Sequence, residues 1–184
     1  MQDEIVWIEN VKKGKIQDFG FLVERYAKLS FSVAYNVVKD YDDANDIIQE
    51  SMMLAYENIQ KFNMDSKFST WLYRIVFNHA LRFSKKKKFF GEIENVSVPD
   101  NIEVEEEDLW FNETNYDKLS EAMARLKDNE RFIIELYYYH NQSVKEISGV
   151  CTLSESNVKV LLYRSRQKLA DLLLKINKNR IVNI

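Results

Sequence analysis

Apolar residues recur at every third or fourth position through most of this 184-residue chain, a period that predicts helices rather than strands. In the first half, Ala44, Ile47, Ile48, Ser51, Ala55 and Ile59 share one side of a helix that opens at Tyr41-Asp42-Asp43 and runs to about Ile59. Asp42, Asp46, Gln49, Glu50, Met53 and Glu57 share its other side, an acidic face with an adaptable thioether at its centre that suits a basic helical partner. A polar stretch, residues 63–67, then lies between Phe62 and Phe68, and Ser69 is placed to cap a helix beginning Thr70-Trp71-Leu72. In that helix Leu72, Ile75, Val76, His79 and Phe83 form one face, and Arg74, Asn78, Leu81 and Lys85 the other. Phe62, Phe68 and Phe77 read as core, whereas Trp71 and the polar stretch offer cations, hydrogen-bonding groups and a flat ring, the requirements for holding an unstacked base.

In the second half, Leu126, Phe132, Ile133, Leu136 and Tyr137 keep helical spacing up to the polar break His140-Asn141-Gln142. A short helix follows from Ser143, with Glu146 at the reciprocal capping position and Gly149 placed to end it, and Ser154 opens a long third helix. This is the pattern of a helix-turn-helix. On the last helix Val158, Leu161, Leu162, Ser165, Leu169, Leu172, Leu173 and Ile176 make the packing stripe. Opposite lie Ser156, Asn157, Lys159, Val160, Tyr163, Arg164 and Gln167. Arginine and lysine suit guanine edges or phosphates, asparagine and glutamine suit adenine, and valine suits a thymine methyl. The plainer reading of the same face is an ordinary charged helix surface.

A net charge of -3 argues against a nucleic-acid binder only until it is mapped along the chain. Arg82 and Lys85 to Lys88 form a basic run, while acids gather from Glu92 through Asp100 to Glu103, Glu105, Glu106, Glu107 and Asp108, around the only proline, Pro99. That acidic stretch has too little apolar surface to bury itself and reads as an extended, flexible linker. With four glycines and one proline, the expectation is an all-α chain of two small helical domains, 1–91 and 116–184, joined by an acidic linker at 92–115, the second domain a helix-turn-helix. Cys151 is alone, which excludes an intrachain disulfide and a zinc cluster, so neither a metal nor a cofactor is expected. No signal segment or membrane-length apolar run is present in the sequence, and the expected location is the cytoplasm. His79 and His140 are tied to no nucleophile or glycine-rich phosphate loop, and read as a helix-packing and a helix-end residue, so an enzyme is disfavoured.

These segments together carry a family resemblance. Asp43-Ala44-Asn45-Asp46-Ile47-Ile48-Gln49-Glu50-Ser51 resembles the core-binding helix of the extracytoplasmic-function (ECF) sigma factors of bacterial RNA polymerase. Phe68-Ser69-Thr70-Trp71-Leu72-Tyr73-Arg74-Ile75-Val76-Phe77-Asn78 resembles their promoter-melting, minus-ten-reading helix. Glu146-Ile147, Ser154, Val158-Lys159 and Arg164-Ser165-Arg166 with Leu169 resemble their minus-thirty-five-reading helix-turn-helix, and Gly14-Lys15, Phe19, Leu22 and Tyr26 fit the opening helix. The resemblance implies a sigma factor that binds core RNA polymerase and directs promoter recognition, DNA melting and initiation. It implies a region 2 domain at 1–91 and a region 4 domain at 116–184, with the linker threading a basic channel of the polymerase. By the same resemblance Asp43, Asp46, Gln49, Glu50 and Met53 dock the polymerase. Asn63, Asp65, Ser66, Lys67, Trp71, Arg74, Asn78 and Lys85 take the downstream promoter element. Ser156, Asn157, Lys159, Val160, Tyr163, Arg164 and Arg166 read the upstream one. The implied partners are core polymerase, promoter DNA and an anti-sigma factor, membrane-bound or not, that masks both domains; the chain itself does not insert into a membrane.

Asn45 stands where an acid is usual, Asn157 where threonine is usual and Leu161 where arginine is frequent, and the turn at 150–153 lacks the usual glycine. These departures leave the promoter sequence open. Two other readings fit the same segments: a stand-alone helix-turn-helix transcriptional regulator, which would bind duplex DNA without polymerase, and a helical adaptor with no promoter-dependent activity.

Overall fold

The computed structural model describes residues 2–85, 89–90 and 116–181, and among them every regular element is a helix. In chain order these are α1 (Gln2–Lys12), α2 (Gln17–Val38), α3 (Tyr41–Asn58), α4 (Phe68–Phe83), α5 (Tyr116–Ala124), α6 (Asp128–Ile134), α7 (Val144–Cys151) and α8 (Glu155–Ile181). A 3-10 turn (Ile59–Lys61) follows α3, and a π turn (Glu135–Tyr139) follows α6. The acidic stretch at 92–115 and Lys86 to Lys88 of the basic run lie outside the described residues. The chain packs as two units, one of residues 1–89 with 145–153 and one of residues 90–144 with 154–184.

In the first unit α2, α3 and α4 pack on one another, and α1 lies on α2 and the 3-10 turn. Val33, Ala34 and Val37 of α2, Ala44, Ile47 and Ala55 of α3, and Leu72, Val76, Phe77 and Ala80 of α4 are buried between them. The opening helix read from Phe19, Leu22 and Tyr26 is preceded by a separate one, because Gly14 at φ 89° breaks the chain between α1 and α2. α3 starts at Tyr41 because the Asp40 carboxylate accepts from the N–H groups of Asp42 (2.9 Å) and Asp43 (3.0 Å), donors with no partner inside the helix.

Two local expectations are corrected here. Ser69 does not cap α4: the helix begins at Phe68, with Lys67 at the cap and Ser69 buried in the first turn. The Phe68 ring, 2% exposed, packs on Phe62 and Tyr26, and seating it draws the first turn one residue earlier. The buried stripe of α4 accordingly runs through Leu72, Tyr73, Val76, Phe77 and Ala80, leaving Phe83 exposed. Gly149 does not end α7 either; the helix continues to Cys151, and Thr152 takes the left-handed conformation at φ 57°. A Cβ on Gly149 would stand 2.7 Å from Thr70 Cγ2, so close packing, not a turn, requires glycine there.

Left-handed residues other than glycine close several helices. Lys39 (φ 64°) ends α2, with its N–H bonded to the Tyr35 carbonyl, Lys85 (φ 53°) follows α4, and Asn141 (φ 49°) follows the π turn.

In the second unit Met123, Leu126 and Ile134 form a core with Leu119, Tyr138, Leu169 and Leu172 against it. Phe132, Ile133, Leu136, Val158, Leu162 and Ser165 are buried as well. Ser154 opens α8 as expected, its hydroxyl accepting from the Asn157 N–H at 3.2 Å.

Candidate nucleic-acid and partner surfaces

The period of α3 puts its apolar side into the core and its acidic side into solvent. Asp46, Gln49, Glu50, Met53 and Glu57 are exposed, Met53 by 63%, and Asp43 is half-buried one turn earlier. Beside this face runs an open groove of about 250 Å³ lined by Ile16, Phe19, Met52, Met53, Tyr56 and Glu57. Four of its lining residues belong to α3, whereas Ile16 and Phe19 come from the start of α2, which the wheel of α3 alone does not contain.

Glu50 also reaches His79 of α4, with Oε2 3.1 Å from Nε2, while Ser51 Oγ lies 3.2 Å from Nδ1 of the same ring. Serine, histidine and carboxylate in a row invite comparison with a nucleophilic triad. Ser51 is 0% exposed, however, and no substrate reaches its oxygen. The imidazole ties α3 to α4, the packing role expected of His79.

Of the downstream group, the loop residues and Trp71 lie at the start of α4, and Arg74, Asn78 and Lys85 follow along it to its far end. Asn63, Met64, Asp65, Ser66 and Lys67 are all exposed between the 3-10 turn and α4, with Met64 left-handed at φ 61°. Phe62 and Phe68 are buried at the two ends of this loop, and Trp71 is half-buried against both, at ring distances of 5.2 and 5.6 Å. One side of the indole is thus held by core aromatics beside an exposed polar loop. Arg74 and Asn78, one turn apart on α4, are exposed, as is Lys85 just beyond its end. Lys67 pairs with Glu146 at 2.5 Å.

On α8, Ser156, Lys159, Tyr163, Arg164 and Gln167 are exposed and Asn157 is half-buried. Val160 is corrected: it is 5% exposed and does not belong to the open face. Its isopropyl group is covered by chain that the wheel of one isolated helix does not contain. Arg166 is half-buried and acts on the Tyr138 phenol, which burial pushes up against the pull of that cation. Lys168 is turned inward, donating to Glu130 Oε2 at 2.6 Å, and Glu130 also accepts from the Lys127 N–H that begins α6. His140 terminates the π turn, its N–H bonded to the Glu135 carbonyl. Burial pushes the Cys151 thiol well above its ordinary value. Among the described residues no helix is long and apolar enough to cross a membrane.

Two family models match the chain in order: Sigma-70 region 2 over residues 22–90 and Sigma-70, region 4 over residues 116–169. The ECF RNA polymerase sigma factor SigW of Bacillus subtilis is 29% identical over 174 residues, covering 88% of this chain and 92% of that protein. The fold is similar to that of CnrH, solved in complex with the cytosolic domain of CnrY, at a TM-score of 0.65 and 21% identity, covering 93% of this chain and 97% of that one. It is also similar to the sigma factor RpoE of Bartonella quintana, solved with the anti-sigma factor NepR, at a TM-score of 0.61 and 19% identity, covering 85% of this chain and 97% of that one. With both regions matched in order and a full-length relative of the same kind, the chain belongs to the ECF sigma factors, alternative sigma factors of bacterial RNA polymerase that serve transcription initiation.

Proposed function

We propose that this sigma factor works through three surfaces: the acidic face of α3 for core RNA polymerase, the loop at 63–67 with Trp71, Arg74, Asn78 and Lys85 for the downstream promoter element, and the exposed face of α8 for the upstream one. The domains carrying these roles are 1–91 and 116–184, with 92–115 between them. The upstream set is Ser156, Asn157, Lys159, Tyr163 and Arg164 with Arg166 at its edge; Val160 contributes packing instead. The protein is not an enzyme and acts in the cytoplasm, where its polymerase is.

The observation that carries the reading is Trp71, half-buried against Phe62 and Phe68 at the foot of an exposed polar loop. Opening a duplex costs free energy, and a protein without nucleotide chemistry recovers it only by binding the opened strand. Base stacking on an aromatic ring contributes roughly 1–3 kcal/mol per base. Arg74 and Asn78, exposed one and two turns further along α4, add a cation and an amide. By analogy with the Bartonella relative solved with NepR, an anti-sigma factor is the expected third partner, soluble or membrane-bound.

In vitro transcription with purified core polymerase on a promoter library tests the whole reading. Permanganate footprinting of a loop-exchanged variant, on duplex and on pre-opened promoters, tests the strand-capture surface. A loop variant that opens duplex promoters with unchanged base preference removes these residues from that role. Equal promoter binding with and without polymerase favours the stand-alone regulator instead.

A further inference from the structure

α1 is fastened to the root of the loop at 63–67. Lys12, the last residue of the helix, donates from Nζ to the Phe62 carbonyl at 2.6 Å, and its ammonium lies 5.9 Å from the centre of the Phe62 ring. Gln60 returns the contact, donating from Nε2 to the Lys12 carbonyl at 2.7 Å. The second bond satisfies one of the carbonyls that a helix end leaves without an internal partner. Together they form a reciprocal clasp between the end of α1, the 3-10 turn and the residue immediately before the loop.

The rest of α1 is anchored so that this clasp has something to pull against. Ile8 and Val11 are 2% and 3% exposed. Near the other end Glu4 accepts from the Tyr26 hydroxyl and lies 3.4 Å from Arg25, whose guanidinium sits over the Trp7 ring. The Tyr26 ring in turn packs on Phe68 and Tyr73 of α4. Phe62 is the element the clasp holds in place: it is 4% exposed, and its ring meets Phe68 at 5.5 Å and Trp71 at 5.2 Å. Its main-chain position therefore sets both where the loop leaves the core and where the indole stands.

We propose that Lys12 and Gln60 are positioning residues for capture of the unpaired strand, holding loop and indole in their binding arrangement before DNA arrives. The inference rests on the reading of the 63–67 loop and Trp71 as the capture site. A loop whose root is already fixed gives up less conformational entropy on binding, and groups held in register discriminate between bases better than groups that must be ordered by the ligand. Loss of the clasp then weakens and blurs capture while leaving polymerase docking on α3 and upstream reading on α8 untouched.

The test uses full-length protein assembled with core polymerase on promoters whose downstream element is randomised, both as duplex and pre-opened by mismatches. Lys12→Met keeps the methylene stem over Phe62 and removes the donor; Lys12→Arg keeps a charged donor. Lys12→Met is expected to lower open-complex yield on duplex promoters on the order of tenfold, the low end for one lost charge-assisted hydrogen bond, and to flatten base preference. Pre-opening restores the yield but not the preference, Lys12→Arg restores both, and core affinity is unchanged throughout. Gln60 is exposed, so Gln60→Met leaves the core intact and gives the same flattening independently of any folding loss in Lys12→Met. Parental base preference in both Met variants, with Trp71→Ala losing it, overturns the clasp and leaves the capture site standing. Parental preference in Trp71→Ala overturns the capture site and the clasp with it.

Discussion

Reversing Asp46 and Glu50 to lysine separates docking from folding on α3. Both carboxylates are exposed on the face that also carries Gln49 and Met53. At an exposed contact a unit charge pair about 4 Å apart is worth about 1 kcal/mol, and each reversal removes one such attraction and adds one such repulsion. Two reversals then sum to about 4 kcal/mol, on the order of a thousandfold in Kd for core polymerase. The folding side is small. Asp46 is exposed, and Glu50, its side chain 66% exposed, forfeits a pairing with His79 worth under about 1 kcal/mol. Titration of core polymerase with fluorescently labelled protein at low and high salt measures the docking loss, and circular dichroism with thermal melting checks the helices. The penalty should shrink as salt rises, since the charges are screened. Undiminished affinity of the doubly reversed, fully helical variant at low salt refutes the assignment of this face.

Arg164→Ala should relax preference at one base pair of the upstream element at a cost of about 1–3 kcal/mol, read from binding to a substituted promoter series, whereas Val160→Ala should leave preference intact and cost about 1–2 kcal/mol of stability. A uniform loss for Arg164→Ala across all sequences, with a shallower salt dependence, makes it a phosphate contact instead. Asp40→Ala removes the acceptor shared by Asp42 and Asp43 and should cost about 1 kcal/mol in a urea melt, with an unchanged midpoint as the contrary result. Burial holds the Tyr26 and Tyr73 phenols above their ordinary value, with Tyr26 further raised by its hydrogen bond to Glu4. Phenols of the unfolded chain ionise near pH 10, so this stabilisation is complete below about pH 10 and is lost as pH climbs beyond it. Melts across that range should show the decline, and Tyr73→Phe should flatten it.

The parts of this molecule that one helix decides for itself were legible in its sequence. The two faces of α3 follow from residues spaced three and four apart, and the burial of Ala44, Ile47 and Ala55 beneath an exposed Asp46, Gln49 and Glu50 needs no other element. Ser154 as the start of α8 is likewise a local matter of one hydroxyl and one N–H. What escaped depends on chain far away in sequence. Ser69 is a good cap by residue type, but seating Phe68 against Phe62 and Tyr26 decides where α4 begins. Gly149 looks like a helix stop until Thr70 is set beside it. Val160 lies opposite the packing stripe and is nonetheless covered. The clasp of Lys12 and Gln60 joins residues 48 positions apart, one of the pair being an ordinary lysine at a helix end. No periodicity could have matched it to the loop root.

The left-handed residues at the helix ends bear on how this protein could be engineered. A residue other than glycine gives up roughly 1–2 kcal/mol in that conformation, with asparagine the least penalised. Thr152, β-branched, exposed and at φ 57°, sits in the least favourable case, and Lys39 and Lys85 share the cost in lesser degree. Thr152 belongs to neither the acidic face of α3 nor the open face of α8. Replacing it with glycine relieves strain while touching no recognition surface, and the gain is trimmed only by the extra freedom glycine brings to the unfolded chain. A sturdier version of this sigma factor, suited to crystallisation or to building synthetic regulatory circuits, is therefore reachable from the places where its helices stop.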